Sequence, residues 1–458
     1  MIPVLEPAEL RALDAAAPEP TEVLVERAGA AVARAALRRL GGAYGRRVVV
    51  VAGKGNNGAD GRAAARWLRR RGARVLVLDA EGAPDRLPPC DLVVDAAYGT
   101  GFKGDYVAPD PGGAPVLAVD VPSGLDAATG QCGDRSVRAA ATVTFAALKP
   151  GLLFGRGPGR AGEVEVADIG LDASGAFASV VEDADVAAIL PGRDRDAHKW
   201  HGAVFVVAGS PGLMGAPVLV ARSALVGGAG SVRLGVPGVP LDQQPAGSEF
   251  VGIALPAEGW AAATLAAASR CRAIVVGPGI GRSPEQAREV RRLVDRVRVP
   301  LVVDADALVE LERTTSQTVL TPHDGEYARL TGAEPGPDRL AAARSLALRT
   351  GAIVLLKGPT TVVAEPGGEA LLVTSGSPRL ATAGTGDVLA GLVGAFLAQG
   401  VPALQAAALA AHVHGAAARL GPARGMVAGD LLDLVPRWLS AVAPPADAPP
   451  LRLAGRKR

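Results

Sequence analysis

The hydrophobic residues recur in two alternating patterns, one with the spacing of helices and one typical of buried strands. Apolar positions at helical spacing run from Glu9 to Leu40, and Pro18 and Pro20 break this region into one or two helices. The run Arg47–Gly53 is short, β-branched and ends in glycine, which is typical of a strand buried in a parallel sheet. Because further runs of this kind alternate with helical segments or loops, the pattern predicts parallel α/β sheets.

Each half of the chain carries its own set of predicted strands. In the first half we predict strands at residues 47–53, 75–78, 92–95, 116–121 and 142–145, an edge strand at 163–170, and a helix at about 62–71. In the second half we predict strands at residues 203–208, 232–236, 272–276, 300–303 and 353–356, and mostly helix after residue 387. The polar, acidic stretch 171–195 is the predicted linker. We therefore expect two domains, at residues 1–175 and 185–445.

Composition supports globular domains and excludes several classes of function. The 458 residues are 49% hydrophobic but only 3% aromatic, so Ala, Val and Leu must fill the cores. A net charge of +2 gives no reason to expect binding to nucleic acid or membranes. Cys90, Cys132 and Cys271 lie far apart and show neither metal nor disulfide spacing, which fits a reducing cytoplasm. We expect no signal peptide and no membrane span.

Polar residues of the first half follow the ends of its predicted strands. Asn56, Asn57 and Asp60 follow the first strand, while Asp95 and Asp120 close the third and fourth. Because ligands of parallel sheets bind beyond the carboxyl ends of the strands, these residues predict a pocket.

Two ligand types suit that pocket. The oxygens of Asn57, Asp95 and Ser123 could converge on a hard cation, and a single full carboxylate suits a monovalent ion. The glycines of the stretch Gly99–Gly104 would let backbone amides approach a diphosphate. This stretch is not a G-x-G-x-x-G fingerprint, so ordinary dinucleotide dehydrogenase binding is not indicated.

One glycine-rich stretch of the second half leads directly into an acid, Asp387, and then into an apolar helical run. Gly384 and Gly386 permit a turn, and a helix opening at about Asp387 would aim free amides and the positive end of its dipole at one point. Such an anion hole suits a phosphoryl group in transit, with Asp387 taking a proton from an attacking hydroxyl. Taken alone, the same stretch also fits a turn in which Asp387 only caps the helix.

Taken together and in order, the motifs resemble those of the NAD(P)H-hydrate repair enzymes. The first half resembles the epimerase domain through G-N-N-G-A-D-G and D-V-P-S-G-L-D. The second half resembles the ribokinase-like, nucleotide-dependent dehydratase domain, and its motifs are H-K, G-P-G-I-G, D-A-D-A-L, T-P-H-D-G-E, K-G-P-T-T-V and A-T-A-G-T-G-D-V-L-A-G. The resemblance implies a Rossmann-like parallel α/β domain followed by a ribokinase-like α/β domain.

The resemblance also implies a reaction and its partners. NADH and NADPH become hydrated at the nicotinamide ring, giving two epimers of NADHX or NADPHX. The epimerase would interconvert the epimers, and the dehydratase would use ADP or ATP to restore NAD(P)H from the S form. A potassium ion at the epimerase site and magnesium with the nucleotide are the implied cofactors. We also expect a homo-oligomer.

For the first half, the resemblance assigns three groups of site residues. Asp120 is the candidate for handling protons, and the potassium ligands are Asn57, Asp95 and Ser123. The hydrate is held by two segments, comprising Asn56, Asn57, Gly58, Ala59, Asp60, Gly99, Thr100, Gly101, Phe102, Lys103, Gly104 and Asp105.

For the second half, the resemblance assigns the base and two binding regions. Asp387 accepts the hydroxyl proton, and Ala216, Gly279 and His323 line the hydrate site. The nucleotide is held mainly by Lys357, Gly358, Pro359, Thr360, Thr361, Gly384, Thr385 and Gly386. His323 could instead be a loop histidine without a role, although its place after a strand favours a ligand contact.

Four residues depart from the family pattern. Ala59 stands in place of a glycine and would cost about 1 kcal/mol if the backbone there needs a positive φ. Asp324, Ser377 and Met214 replace a proline, an asparagine and an aromatic residue.

Two other functions are open at this point. One is a ribokinase-like small-molecule kinase, of the hydroxymethylpyrimidine or hydroxyethylthiazole type, that releases a phosphorylated product. The other is an N-terminal half that binds nucleotides or proteins without catalysis. The fused first domain favours the dehydratase, and Asp120 with the cation ligands favours an active epimerase.

Overall fold

The chain forms two structural units, and the boundary between them follows Val180. The computed structural model describes residues 1–193, 196–247, 249–309, 311, 313–314 and 317–443. The first unit comprises Ile2–Val180, and the second comprises Val181–Pro335 and the chain from Leu340 onward.

The first unit is built on a six-stranded parallel sheet. The strands of the unit are β1 Ile2–Val4, β2 Arg47–Ala52, β3 Arg74–Asp79, β4 Leu92–Ala96, β5 Val116–Val119, β6 Ala141–Phe145, β7 Glu163–Ala167 and β8 Ala178–Val180, and β2 to β7 form this sheet. The sheet order is β3-β2-β4-β5-β6-β7, with every neighbouring pair parallel. Strands β1 and β8 pair with each other in antiparallel fashion. The parallel arrangement confirms the Rossmann-like class.

The helices of the first unit are α1 Pro7–Ala15, α2 Thr21–Leu40, α3 Asn56–Arg70, α4 Pro150–Leu153 and α5 Gly157–Ala161. Buried residues of α2 and α3 share one hydrophobic core with the sheet strands. The two helices approach closely because Gly29 faces Ala63, where an added Cβ would overlap the Ala63 side chain. Small side chains therefore build this core, as the low aromatic content requires.

The second unit is built on nine strands. They are β9 Ala203–Val207, β10 Ser231–Pro237, β11 Phe250–Leu255, β12 Ala273–Val276, β13 Leu301–Val303, β14 Thr318–Leu320, β15 Ile353–Leu356, β16 Thr361–Ala364 and β17 Ala370–Val373. Their order is β17-β16-β15-β14-β13-β12-β9-β10-β11. The β15–β16 and β16–β17 pairs are antiparallel and the remaining pairs are parallel.

The helices of the second unit are α6 Asp183–Ile189, α7 Gly215–Val226, α8 Trp260–Ala267, α9 Pro284–Arg296, α10 Asp324–Thr331, α11 Arg339–Thr350, α12 Thr385–Ala398, α13 Ala403–Ala418 and α14 Leu431–Val442. Helices α12 and α13 are apolar on nearly every side and almost wholly buried. A helix that is hydrophobic all round must lie inside the fold. Because α12 is fixed in the core, the position of its first turn is fixed as well.

The structure corrects several predicted boundaries. The first-half helix begins at Asn56 rather than Arg62, and α12 begins at Thr385 rather than Asp387. Strand β5 stops at Val119 because Asp120 has a positive φ of 67°. The predicted linker contains strand β8 and helix α6.

None of the helices in the described part of the chain combines the length and the apolar character needed to cross a bilayer.

We predict that replacing Gly391 on α12 by alanine destabilises the second unit. An added Cβ would overlap the Val220 carbonyl oxygen and crowd Ser223 on α7, so the two helices would have to separate. Overpacking of this kind costs about 1–3 kcal/mol. Thermal and denaturant unfolding of the full chain would measure the loss. Gly429→Ala is the matched control, since Gly429 is exposed and nothing lies within 4 Å of its added Cβ. Equal midpoints for the two variants would contradict the packing argument.

Candidate functional site

A buried charge pair lies at the carboxyl ends of the parallel strands in the second unit. Asp304, which directly follows β13, is 1% exposed and accepts a hydrogen bond from Thr321 Oγ1 at 2.6 Å. Lys357, which directly follows β15, places Nζ 2.9 Å from Asp304 Oδ1 and 3.8 Å from Glu326 Oε2. Burial opposes the charge of Lys357, but Asp304 and Glu326 together raise the pKa of this ammonium. The lysine therefore carries a fixed positive charge.

The first turn of α12 lies beside this lysine. Gly384 is the N-cap with φ 88°, and the first intrahelical bond runs from Val388 N to Gly384 O at 3.2 Å. Among the described residues, the amides of Gly386 and Asp387 donate to no main-chain carbonyl outside the helix, as expected for a first turn. A Cβ added to Gly386 would lie 3.6 Å from Lys357 Nζ. An ammonium, free amides and the helix dipole thus combine into one anion-binding corner.

Asp387 is part of this first turn and is half-buried. No ion pair or hydrogen bond of its carboxylate occurs within the described part of the chain, so the group is available to a ligand. Burial raises the pKa of Asp387 to about 6, the charge of Asp304 adds to the rise, and Lys357 works against it. A carboxyl group with a pKa near neutrality is suited to accepting a proton.

Other predicted residues of the second unit are brought close to one another. Ser210 donates a hydrogen bond to Gly279 O at 2.8 Å, and a Cβ added to Gly279 would lie 3.5 Å from that of Ala216. The Gly358–Pro359 turn lies against Gly376, where an added Cβ would be 2.9 Å from Pro359 O. Both are close backbone approaches.

His323 has a structural contact that the sequence did not show. Its Nδ1 accepts a hydrogen bond from Gly325 N at 3.1 Å and so caps helix α10. Its Nε2 lies 3.4 Å from Glu326 Oε1, and the side chain is 59% exposed. The ring is therefore held in place while most of it still faces solvent.

The first unit contains a cavity of about 1110 Å³ at the carboxyl edge of its parallel sheet. Predicted residues that line it include Asn56, Asn57, Asp60, Asp120 and the Gly99–Lys103 segment. Gly104 and Asp105 do not line this cavity and face a neighbouring depression instead. Gly58 and Ala59 do not line it either.

An aromatic cluster holds the Gly99–Asp105 loop in place. The ring centroids of Tyr98 and Phe102 are 4.6 Å apart, and those of Tyr98 and Tyr106 are 5.1 Å apart. Such pairs contribute packing energy beyond their buried area. The loop is thereby fixed along one wall of the cavity.

Lys149 and Asp120 form a buried ion pair in the wall of this cavity. The Lys149 side chain has no solvent exposure, and its Nζ lies 2.7 Å from Asp120 Oδ1 and 2.8 Å from Thr144 Oγ1. The same ammonium donates to the carbonyl oxygens of Phe145 and Ala147. A buried charge needs this kind of complete pairing, and here it also fixes the orientation of Asp120.

Two further carboxyl groups share the cavity with this pair. Burial raises the pKa of Asp60 to about 8, and the charges of Asp120 and Asp14 add to the rise. Burial also raises the pKa of Asp14, with Asp120 as the second cause. Groups in one site whose environments separate their pKa values are suited to acid and base roles.

The three predicted cation ligands have different surroundings. Ser123 Oγ donates to Asp95 Oδ1 at 2.6 Å, and Ser123 N donates to Asp95 Oδ2 at 2.8 Å. Burial raises the pKa of Asp95 to about 6, although the hydrogen bonds from Ser123 oppose this. Both polar atoms of the Asn57 side chain are buried without a hydrogen-bond partner. A cation bound through Asn57 Oδ1 would satisfy one of them.

Both halves of the chain match known protein families. A family model described as NAD(P)H-hydrate dehydratase matches residues 204–437, and one described as YjeF-related protein N-terminus matches residues 21–86 and 79–151. A bifunctional NAD(P)H-hydrate repair enzyme of Salinibacter ruber is 41% identical, over 91% of this chain and 92% of that relative. The chain belongs to the bifunctional NAD(P)H-hydrate repair enzyme family.

Further relatives extend this family assignment. Enzymes with the same description from Moorella thermoacetica and Pyrobaculum aerophilum are 38% and 37% identical, covering 91% and 93% of this chain and 92% and 95% of the relatives. An ADP/ATP-dependent NAD(P)H-hydrate dehydratase of Bacillus subtilis, co-crystallised with ATP and Mg²⁺, superposes with a TM-score of 0.50 at 29% identity. It covers 57% of this chain and 97% of that structure. The ribokinase-like class of the second unit is confirmed, and the family is not that of a small-molecule kinase.

The departures from the repair-enzyme pattern do not distort the backbone in the way we expected. Ala59 lies inside helix α3 and does not have a positive φ, so the condition for a cost of about 1 kcal/mol is not met. Asp324 is the first residue of α10, where an acid suits the helix dipole. The Ser377 hydroxyl accepts a hydrogen bond from Arg379 N, the turn that an asparagine would also make.

Several side chains close to the candidate site residues were not predicted individually from the sequence. Lys149, Asp14 and Glu326 were not singled out, although Asp14 and Glu326 lie on helices and Lys149 directly follows a tight turn. Sequence signals existed for Lys149, which precedes a proline and a glycine, for Glu326, which ends the T-P-H-D-G-E motif, and for Asp304, which begins the D-A-D-A-L motif. Asp14 comes from helix α1 and is distant in the chain from Asp60, Asp120 and Lys149.

We predict that Lys149→Met strongly destabilises the first unit. It leaves the Asp120 carboxylate buried without its cation, and breaking a buried pair in this way costs about 3–5 kcal/mol. Adding Asp120→Asn should restore part of the loss, because the uncompensated charge is removed. Thermal unfolding of the wild type, both single variants and the double variant would give the coupling energy. Losses that simply add would show that the ion pair does not act as a unit.

Proposed function

We propose that this chain is a bifunctional repair enzyme for hydrated nicotinamide dinucleotides. Its first unit interconverts the epimers of NADHX and NADPHX, and its second unit dehydrates the S form to NAD(P)H with ADP or ATP. The observation that carries the dehydratase assignment is the α12 corner, where the free Gly386 amide and Lys357 flank an unpaired Asp387. The family relationship over both units supports the pairing of the two activities.

In the dehydratase unit, the oxygen of the ring hydroxyl attacks the terminal phosphorus of the nucleotide. Asp387 takes the proton of that hydroxyl during the attack. The amides at the start of α12 and the Lys357 ammonium stabilise the charge that develops on the transferred group. The bond between the terminal phosphorus and its bridging oxygen breaks, so AMP leaves from ADP or ADP leaves from ATP, and the hydroxyl, a poor leaving group, becomes a phosphate ester. Loss of orthophosphate and of a ring proton then restores the double bond of NAD(P)H.

Binding in this unit follows from the close backbone approaches. The Lys357–Thr361 turn and the Ser377–Gly386 stretch hold the nucleotide, while Ala216, Gly279 and His323 line the place of the hydrate. Magnesium, which needs few protein ligands, would be held mainly by the nucleotide phosphates, with Asp304 and Asp387 as the nearby carboxylates that suit it. It would neutralise charge on the phosphates during transfer.

In the epimerase unit, the Lys149–Asp120 pair supports proton handling by Asp120. The ammonium at 2.7 Å keeps a carboxylate oriented in the cavity wall, next to the carboxyl groups of Asp60 and Asp14. A potassium ion held by Asn57, Asp95 and Ser123 is part of the proposal, and the unpartnered amide oxygen of Asn57 supports it. A cytoplasmic location and a homo-oligomeric state stay predictions from the sequence.

We predict that Asp387→Asn abolishes the nucleotide-dependent recovery of absorbance near 340 nm from the S hydrate. The amide cannot accept the hydroxyl proton, and loss of a general base costs about 10²–10⁴-fold in rate. In the wild type, kcat/KM for dehydration should fall as pH drops through about 6, because Asp387 becomes protonated there. Asp242→Asn, which changes an exposed acid on another segment of the unit, is the control.

Asp387→Asn should still interconvert the epimers, because it leaves the first unit untouched. Dehydration at the wild-type rate would rule out Asp387 as the base. A pH profile that stays flat between 5 and 7 would contradict its proton-accepting role.

We predict that Asp120→Asn blocks use of the R hydrate and leaves use of the S hydrate intact. The substitution keeps the shape of the side chain and suits the positive φ at this position, because asparagine tolerates the left-handed region. Chromatographic separation of the epimers without nucleotide would measure the interconversion alone. An R-to-S rate equal to that of the wild type would remove Asp120 from the proposed mechanism.

A further inference from the structure

The turn between β2 and α3 contains three closely spaced glycines. Gly53, Gly55 and Gly58 form a G-x-G-x-x-G pattern, and this pattern lies directly between a parallel strand and a helix. This is the structural context in which the pattern binds dinucleotides.

Each of the three glycines meets a distinct steric requirement. A Cβ on Gly53 would overlap the Ala97 carbonyl oxygen, and a Cβ on Gly58 would overlap the Gly53 carbonyl oxygen. These two glycines allow the tight turn and the close packing of helix on strand. A Cβ on Gly55 would meet no atom within 4 Å, so the space above this residue is open. Open space at the middle glycine is what a diphosphate approaching the backbone requires.

The first turn of α3 has the donors for such a group. Its N-cap, Gly55, makes no side-chain cap, and the first main-chain bond of the turn runs from Ala59 N to Gly55 O at 3.0 Å. Within the described residues, the amides of Asn56 and Asn57 donate to no main-chain carbonyl outside the helix, and the Asn57 side chain is also without a partner. The cavity in front of this turn is lined by the basic side chains Arg11, Lys54, Lys103 and Lys149 and by the acidic side chains Asp14, Asp60, Asp79, Glu81 and Asp120. The free amides and the positive end of the helix dipole favour an anion at this turn.

The neighbouring strand β3 ends in an acid at the same cavity. Asp79, its last residue, accepts a hydrogen bond from Arg62 Nη2 at 2.6 Å, and Arg62 Nη1 donates to Gly53 O at 2.6 Å. Two residues on, Glu81 pairs with Lys54 at 2.7 Å. Asp79 and Glu81 both line the cavity. An acid at the end of the second strand of a βαβ unit is the group that hydrogen-bonds the adenosine ribose of NAD in such folds.

The polar residues of the cavity therefore form two groups. One group, with Asp120, Lys149 and Asp60, is buried and suited to proton transfer. The other, with Asp79 and Glu81, is mostly exposed, and its carboxylates could accept hydrogen bonds from sugar hydroxyls. A dinucleotide has two matching ends, a reactive hydrated nicotinamide and an adenosine whose ribose carries either a 2′-hydroxyl or a 2′-phosphate.

We propose that the diphosphate of the hydrate binds over Gly55 at the start of α3 and that Asp79 accepts a hydrogen bond from the adenosine 2′-hydroxyl. The epimerase unit then prefers NADHX to NADPHX, because a 2′-phosphate would meet the Asp79 carboxylate. The cation of Arg62 does not offset this repulsion, since both of its contacts are made to Asp79 and to the Gly53 carbonyl oxygen. This inference rests on the epimerase activity proposed above.

The first experiment places a methyl group in the open space. Gly55 has φ −86° and ψ −169°, which alanine adopts without strain, so Gly55→Ala should fold as the wild type does. We expect its KM for both hydrates to rise by about tenfold or more, because the methyl group displaces the diphosphate. Gly175→Ala, an exposed position with nothing within 4 Å of the added Cβ, is the matched control.

The second experiment tests the ribose contact. Asp79→Asn should lower the ratio of kcat/KM for NADHX over NADPHX by about tenfold, because the repulsive charge is removed and Arg62 becomes free to pair with a 2′-phosphate. Asp85→Asn, which changes an exposed acid outside the cavity, should leave the ratio unchanged. Inhibition of epimerisation by AMP and by its 2′-phosphorylated form gives an independent readout. The 2′-phosphorylated form should inhibit the wild type more weakly than AMP does. It should inhibit the Asp79→Asn variant more strongly than it inhibits the wild type.

The outcomes separate this inference from the proposed function. A wild type that does not interconvert the epimers contradicts the proposed epimerase itself. A wild type that does so but whose ratio is insensitive to Asp79→Asn overturns the ribose contact. If Gly55→Ala keeps its KM values while Gly101→Ala raises them, the diphosphate binds at the Gly99–Lys103 segment and not at α3.

Discussion

Each unit of this protein buries one lysine ammonium against an aspartate that follows a parallel strand. In the first unit Lys149 contacts Asp120 at 2.7 Å, and in the second Lys357 contacts Asp304 at 2.9 Å. Removing either charge from water is costly unless the partner is held in place, so the surrounding oxygens must be fixed as well. This requirement links the sheet edges, where the aspartates lie, to the turns that carry the lysines. The chemistry of both sites depends on it.

The two pairs serve different purposes. Lys149 is wholly enclosed and makes four contacts with oxygen atoms of its own unit, so it acts on a ligand only through Asp120. Lys357 keeps partial exposure and lies beside the first turn of α12, where it adds its charge to free amides. One lysine therefore orients the carboxylate that we propose handles protons, and the other lies beside the turn that we propose binds the phosphate.

The sequence predicted the fold class correctly, because strand runs ending in glycine or aspartate are strong local signals. It also predicted the Gly384–Asp387 turn, since glycine pairs followed by an acid have few structural explanations. It placed helix starts poorly: Asn56–Gly61 look like a loop because asparagine and glycine are weak helix formers, yet tertiary packing makes them the first turns of α3. It gave no signal for Asp14, whose surroundings depend on contacts between segments distant in the chain.

The backbone of α3 also bears on how related chains are recognised. Gly58 is sterically required, whereas Ala59 lies in ordinary helical conformation and outside the cavity. Any search that insists on glycine at both positions would discard sequences whose epimerase cleft is structurally intact. The steric constraint is better described by a motif with the three spaced glycines and the acid at position 60. Such a motif allows any small residue at position 59.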